Sequence, residues 1–136
     1  MKLKLSYSKL IDAKKGLEFL GTKELSYRTA LKISKNLKTI QELLAHYLEE
    51  SVKLEEKYLE KDEHGEYVIE GGGLKLKSET KDEYWERKKE LDNFEVEIDL
   101  YQINITNLDG VKVLPEVAGA LEFLVKDTMK KESDLL

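Results

Sequence analysis

The chain has 136 residues, a net charge of −5, and 38% charged against 40% hydrophobic residues. That length bounds it to one domain with a modest core, too small for a large enclosed active-site chamber. The absence of cysteine excludes disulfides, thiolate zinc sites and a cysteine nucleophile, and no run approaches the roughly 20 apolar residues of a membrane span.

The first residues alternate. In "KLKLSY", Leu3, Leu5 and Tyr7 fall on one side and Lys2, Lys4 and Ser6 on the other, which predicts a half-buried strand over 2–7. No apolar run there could serve as a signal sequence, so a cytoplasmic protein is expected. Ser8 is placed to cap a helix, "KLIDAKKGLEFL", with Leu10, Ile11, Leu17 and Leu20 on its apolar face and Gly21 as its C-terminal stop.

From Tyr27 to about Lys61 there is neither Pro nor Gly, and Ser26 stands at the N-cap. Ala30, Ile33, Leu37, Ile40, Leu44, Tyr47, Ser51, Leu54 and Tyr58 step by threes and fours, a heptad seam. Leu31, Leu43, Leu48, Val52 and Leu59 widen it. A helix of about 35 residues is about 50 Å long. It needs a returning helix, or a second copy, to cover it.

The segment "EKYLEKDEHGEYVIEGGGLKLKSETKDEYWERKK" poses the main chemical question. Read as a calcium loop with Gly65 at position 6, it has Glu60, Asp62 and His64 at positions 1, 3 and 5. Position 12 is then Gly71, where a bidentate Glu is required. Read as a phosphate loop, its glycines lead into an alternating run, where a helix N-terminus is required. A β-hairpin fits better: "EYVIE" and "LKLK" are β-prone and "GGG" joins them. Thr80 and Glu83 have capping-box spacing ahead of a second helix, with Tyr84, Lys88 and Leu91 on one face and Trp85 beside it.

"VEIDLYQINI" predicts a strand over 95–103 whose Glu95, Glu97 and Asp99 would face Lys2 and Lys4 across a pair. "NLDG" predicts a turn, "VKVL" a third strand, and Pro115 opens a last helix, "PEVAGALEFLVKDTM", before a fraying "KKESDLL". The expected fold is therefore α+β and mainly helical. A long antiparallel helical arm (27–93) with a β-hairpin tip stands on a small β-containing base, with 1–136 as a single domain.

No catalytic constellation stands out. His46 has Glu42, Glu49 and Glu50 one turn away, yet lies beside the seam among acids, where a solvated face is expected; His64 is in the turn. No metal site and no cofactor is expected. The strongest binding candidate is the start of the long helix: Ser26, Tyr27, Arg28 and Thr29, with Lys32 one turn on. Free amides and the helix dipole favour a carboxylate or phosphate there. The alternative is structural: Ser26 caps the helix and Arg28 pairs with Glu24.

Charge is unevenly distributed. Residues 1–40 carry +7 and residues 41–136 carry −12; within the long helix, 22–40 carry +4 and 41–63 carry −5. The split argues against duplex nucleic acid and for an antiparallel homodimer through Ile33, Leu37, Ile40, Leu44, Tyr47 and Leu54. Pairing of "WERKK" with the acidic half is the intramolecular alternative.

The succession "KLSYSKLIDAKKGLEFLGTKELSYRTALKISKNLKTIQELL", "YLEKDEHGEYV", "KELDNFEVEIDLYQINITNLDG" and "LEFLV" resembles short proteins of tailed phages and prophages of low-GC Gram-positive bacteria. The resemblance implies a bacterial cytoplasm and a phage-related role, and carries no functional residues. Two functions follow as expectations. One is a non-enzymatic accessory protein that counters host defence, blocking a host protein or sequestering a small anionic, nucleotide-like signal as a homo-oligomer. The other is a structural or assembly protein whose arm docks onto virion proteins.

Overall fold

The computed structural model describes residues 1–127. The expectations for "KKESDLL", and for the last helix beyond Asp127, lie outside those residues. The fold is α+β and mainly helical. Strand β1 (Lys2–Ser6) runs directly into helix α1 (Tyr7–Leu20), and α2 (Tyr27–Tyr58) follows. A hairpin of β2 (Ile69–Glu70) and β3 (Gly73–Leu74) leads to α3 (Lys81–Asn93). Strands β4 (Glu95–Asp99) and β5 (Ile103–Asn104), helix α4 (Pro115–Leu121) and strand β6 (Val125–Lys126) complete it.

The base forms where alternation predicted it. β1 pairs antiparallel with β4, setting Lys2 opposite Asp99 and Lys4 opposite Glu97. Leu5 and Ile98 bury their side chains on the inner face. Ser6, and not Ser8, caps α1: its Oγ accepts the Lys9 N–H at 3.1 Å. Strand and helix therefore share Ser6 with no loop between them. The Tyr7 N–H donates to the Phe94 carbonyl at 3.1 Å, tying the start of α1 to the end of α3. Gly21 ends α1 in right-handed geometry, φ −64°, and not as a left-handed cap.

The core gathers α1, both base strands and the first two-thirds of α2. Leu10, Leu17, Ile40 and Leu124 are fully buried in it, with Leu20, Leu100 and Ile103 nearly so. α1 is covered on two sides, by α2 and by α4. On the α4 side, Gly16 makes room: a Cβ there would meet Leu121 Cγ at 2.8 Å.

Along α2, Ile33, Ile40, Leu44, Tyr47, Ser51 and Tyr58 are buried as the period requires. Near its start the buried positions are Thr29 and Asn36, while Ala30 is exposed and Leu37 half-buried. A straight helix drifts about 20° per heptad from a strict 3.5 repeat. Two heptads upstream of Leu44, that drift turns Ala30 outward and Thr29 inward.

Asn36 explains the first departure in the base. It is 1% exposed. Its Nδ2 donates to the Tyr101 carbonyl at 2.9 Å and its Oδ1 accepts the Tyr101 N–H at 2.8 Å. This clasp takes the backbone groups a continuing strand would use, so the strand expected over 95–103 breaks after Asp99. The chain resumes as β5, which pairs in parallel with β6. β6 lies inside the segment expected to be helix: α4 stops at Leu121, a 3-10 turn follows, and Val125 joins Ile103. The strand expected from "VKVL" is absent; 111–114 is irregular.

At the far end, α3 returns antiparallel to α2, with Tyr84 edge-on to Tyr58. The hairpin turns on Gly71 and Gly72, both at positive φ (61° and 82°), as a two-residue type I′ turn demands. Thr80 stands at the N-cap of α3, but its hydroxyl bonds nothing and is buried, so the capping box with Glu83 does not form.

Asn36→Ala removes the partner of both Tyr101 backbone groups at this part-buried site, and is expected to cost about 1–3 kcal/mol in urea unfolding. Gly16→Ala adds roughly 1 kcal/mol of helix propensity but drives a Cβ into Leu121. Overpacking is expected to win, for a net loss of about 1–2 kcal/mol by the same measurement.

Candidate functional site

The helix-start cluster folds as a closed cap. Ser26 Oγ accepts the Thr29 N–H at 3.4 Å and donates to Thr29 Oγ1 at 2.9 Å. Thr29 is 1% exposed, Tyr27 is 82% exposed, Arg28 is exposed and Lys32 half-buried. The five residues share one helical turn and a half, but they line none of the four main cavities. Arg28 and Glu24 form no ion pair among the described residues, so that structural alternative does not hold, while the Ser26 cap does.

The seam residues are used within the chain. Ile33, Ile40, Leu44 and Tyr47 are buried against other elements of the same molecule, Leu37 and Leu54 are half-buried, and α1 and α3 cover successive stretches. Ile40, Leu44 and Tyr47 are therefore largely spent on this chain's own helices, while Leu37 and Leu54 keep part of their surface open. The expected pairing of "WERKK" with the acidic half of α2 is likewise replaced. Arg87 bonds Glu90 of its own helix at 3.3 Å, and Lys88 reaches hydroxyls.

That Lys88 contact is a dense polar cluster. Its ammonium donates to Tyr47 Oη at 2.5 Å and Ser51 Oγ at 2.8 Å, and lies 3.6 Å from Asp92 Oδ1. The Tyr47 hydroxyl donates to the same carboxylate oxygen at 2.5 Å. Lys88 also sits over the Tyr47 ring, 4.4 Å from its centroid. Burial pushes the Lys88 ammonium down, but the Tyr47 hydroxyl and the Asp92 charge outweigh it, and the net value is raised above 10.5. Burial raises the Tyr84 phenol beside it, against the lowering pull of Lys88. None of the four cavities opens onto the cluster. Chemically it is a clamp between α2 and α3. The sequence pattern places Lys88 and Tyr47 on facing helices; the cue that joins them is Ser51, the polar gap in the seam.

The turn acids are also engaged. Asp62 Oδ1 accepts the N–H groups of His64 (2.9 Å) and Glu66 (3.0 Å), closing the "DEHG" turn. His46 lies 3.5 Å from Glu49 with both side chains exposed. Among the described residues no group of three or more acids and histidines is arranged to hold a metal. No helix among them is long and apolar enough to cross a membrane.

Two further surfaces stand out on the base and the tip. One is a cleft of about 730 Å³ in the base, walled by Leu108, Val117, Leu121 and Val125 with Asp109 at its edge. The other is the arm tip. Ile69 and Leu74 lie directly opposite across the hairpin and are 73% and 49% exposed. Tyr67, two residues along the same face, is also exposed. Residues 60–70 surround them with five acids and one lysine. Lys75 braces the tip through Glu60 at 3.2 Å and Glu70 at 3.6 Å. Comparison with family models, curated proteins and solved structures gives no match to this chain.

The clamp predicts alkaline sensitivity. A lysine whose folded pKa is raised adds stability below its unfolded value, and loses it as pH climbs through the folded one. A phenol kept protonated by burial acts in the same direction. Stability is therefore expected to fall from about pH 10 upward, starting from the ordinary values of 10.0 and 10.5. Lys88→Met and Tyr84→Phe should each flatten that slope in urea titrations, leaving the neutral-to-alkaline slope below pH 9 unchanged.

Proposed function

We propose that this chain is a non-enzymatic binding protein that docks the tip of its helical arm onto a partner protein. The observation that carries the reading is the exposed Ile69–Leu74 pair, held opposite one another by a fixed two-residue turn. Exposed apolar residues scattered singly need no explanation. Here two aliphatic side chains and Tyr67 share one face at the end of the molecule farthest from its core.

The local chemistry suits docking. A two-stranded hairpin is marginal alone, and this one is braced by the Asp62 turn, the Lys75 ion pairs and the end of α2. The Glu60 N–H donates to the Lys75 carbonyl at 2.8 Å, and the Lys77 N–H to that of Tyr58 at 2.9 Å. Interfaces draw most of their energy from a few anchored side chains, and a charged rim mainly sets encounter rate and partner choice. The acidic rim calls for a basic partner surface with an apolar recess.

The similarity in layout to short tailed-phage proteins supplies the setting. An assembly protein reaching onto virion components makes first use of such an arm, and an accessory protein blocking a host protein would use the same contact. Sequestration of a small anion draws less support, because the Ser26–Thr29 bonds already occupy the cap and the five residues of the cluster line none of the four main cavities.

The double variant Ile69→Asp, Leu74→Asp tests the reading. Its thermal unfolding is expected to match that of the parent, since both residues are exposed. With the parent chain as bait, a basic protein from cells carrying the gene should be retained, and the variant should lose roughly tenfold or more of that binding. Undiminished binding by the variant would overturn the tip as the docking surface.

A further inference from the structure

The charge split along α2 and the burial of its seam leave one further face to account for. About 105° around the helix from the buried side, a stripe runs from Ala30 to Val52 in steps of four and three. It carries no charged residue, although α2 is otherwise densely charged. Leu48 and Val52 on it are 61% and 49% exposed. Its N-terminal half forms one wall of a groove of about 440 Å³ floored by Leu20, Leu25, Ile33 and Leu37 and rimmed by Lys23 and Lys38. Its C-terminal half projects Leu48 and Val52 among Glu49, Glu55 and Glu56.

We propose that this stripe is the interface of an antiparallel homodimer, with its two-fold axis at Gln41. The sequence is self-complementary about that point. Ala30 of one copy meets Val52 of the other, Ser34 meets Leu48, and Ala45 meets Leu37. In each pair a small side chain faces a large one, so two helices can approach closely and fill each other's gaps. Leu48 and Val52 of one copy enter the groove of the other.

Charge selects the same arrangement. The basic half of α2 carries +4 over 27–40 and the acidic half −3 over 41–58. Antiparallel pairing sets each against its opposite, and brings Lys38 of one copy toward Glu42 and Glu49 of the other. Parallel pairing would set like against like, which costs affinity and rejects that register. A second copy therefore fits this face in shape and in charge, and the symmetry closes at two.

Sedimentation equilibrium on the full chain tests the proposal. The expected mass is twice 15.8 kDa, with dissociation favoured by salt. Leu48→Glu, at an exposed position, should keep the helical circular-dichroism signal and weaken the dimer by roughly tenfold or more. Orientation is read separately, because the chain has no cysteine of its own. Gln41→Cys should cross-link to itself on mild oxidation. Ala30→Cys and Val52→Cys should cross-link when mixed but not when each is alone. A monomer at every concentration, a dimer indifferent to Leu48→Glu, or self-linking of Ala30→Cys would overturn it.

Discussion

A helix of 32 residues must be covered along about 48 Å, and everything else in this molecule is arranged around that requirement. No neighbouring element is as long. α1, with 14 residues, and α3, with 13, divide the task. α1 takes the first part together with the base strands and α4. α3 takes the second part and can do so only because the glycine hairpin reverses the chain beyond Tyr58. The arm is thus a consequence of length: one helix outruns the core, and the returning helix shields what is left.

The two halves are held by different physics. Around the first part the contact is aliphatic, with Leu10, Leu17 and Ile40 out of contact with water. Along the second it narrows to a single row in which Tyr47, Ser51, Lys88 and Asp92 bond one another. A half-buried ammonium with three oxygen partners tolerates the partial exposure of a two-helix arm better than a lone leucine row would, because each polar atom is satisfied at any degree of wetting. The aromatic pair Tyr58–Tyr84 then closes the end nearest the tip.

Periodicity made the elements legible. The unbroken run after Ser26 gave α2 and its cap, the alternating charges of Lys2, Lys4, Glu97 and Asp99 gave a strand pair whose register sets them opposite, and the glycines at 71 and 72 gave the turn. What stayed hidden was polar and non-local. Thr29 and Asn36 lie on the buried face, but a pattern built on apolar residues skips them and selects Ala30 and Leu37. The clasp of Asn36 on Tyr101 joins residues 65 apart in the chain, and nothing local marks it. The break in the second base strand falls beside that clasp, and the parallel β5–β6 pair joins Ile103 to Val125 across a separate stretch of chain, so neither shows in a local pattern. The candidate site divides likewise: the Ser26 cap was readable from residue type, whereas the exposure of Ile69 and Leu74 depends on how far α2 carries the hairpin from the core.

The same geometry separates the surfaces open to partners. A heptad seam in sequence is an instruction to be covered, and it does not specify by what; here α1 and α3 cover it first because they are tethered to it, which gives them an effective concentration no free molecule matches. Residues left outward on α2 and at the tip are those that tethered elements cannot reach. On α2 they form an uncharged stripe between the buried seam and a charged face, and at the tip an aliphatic pair inside a ring of carboxylates. Each is uncharged where the exposed surface beside it is strongly charged, so water exclusion would act at both while charge decides what approaches.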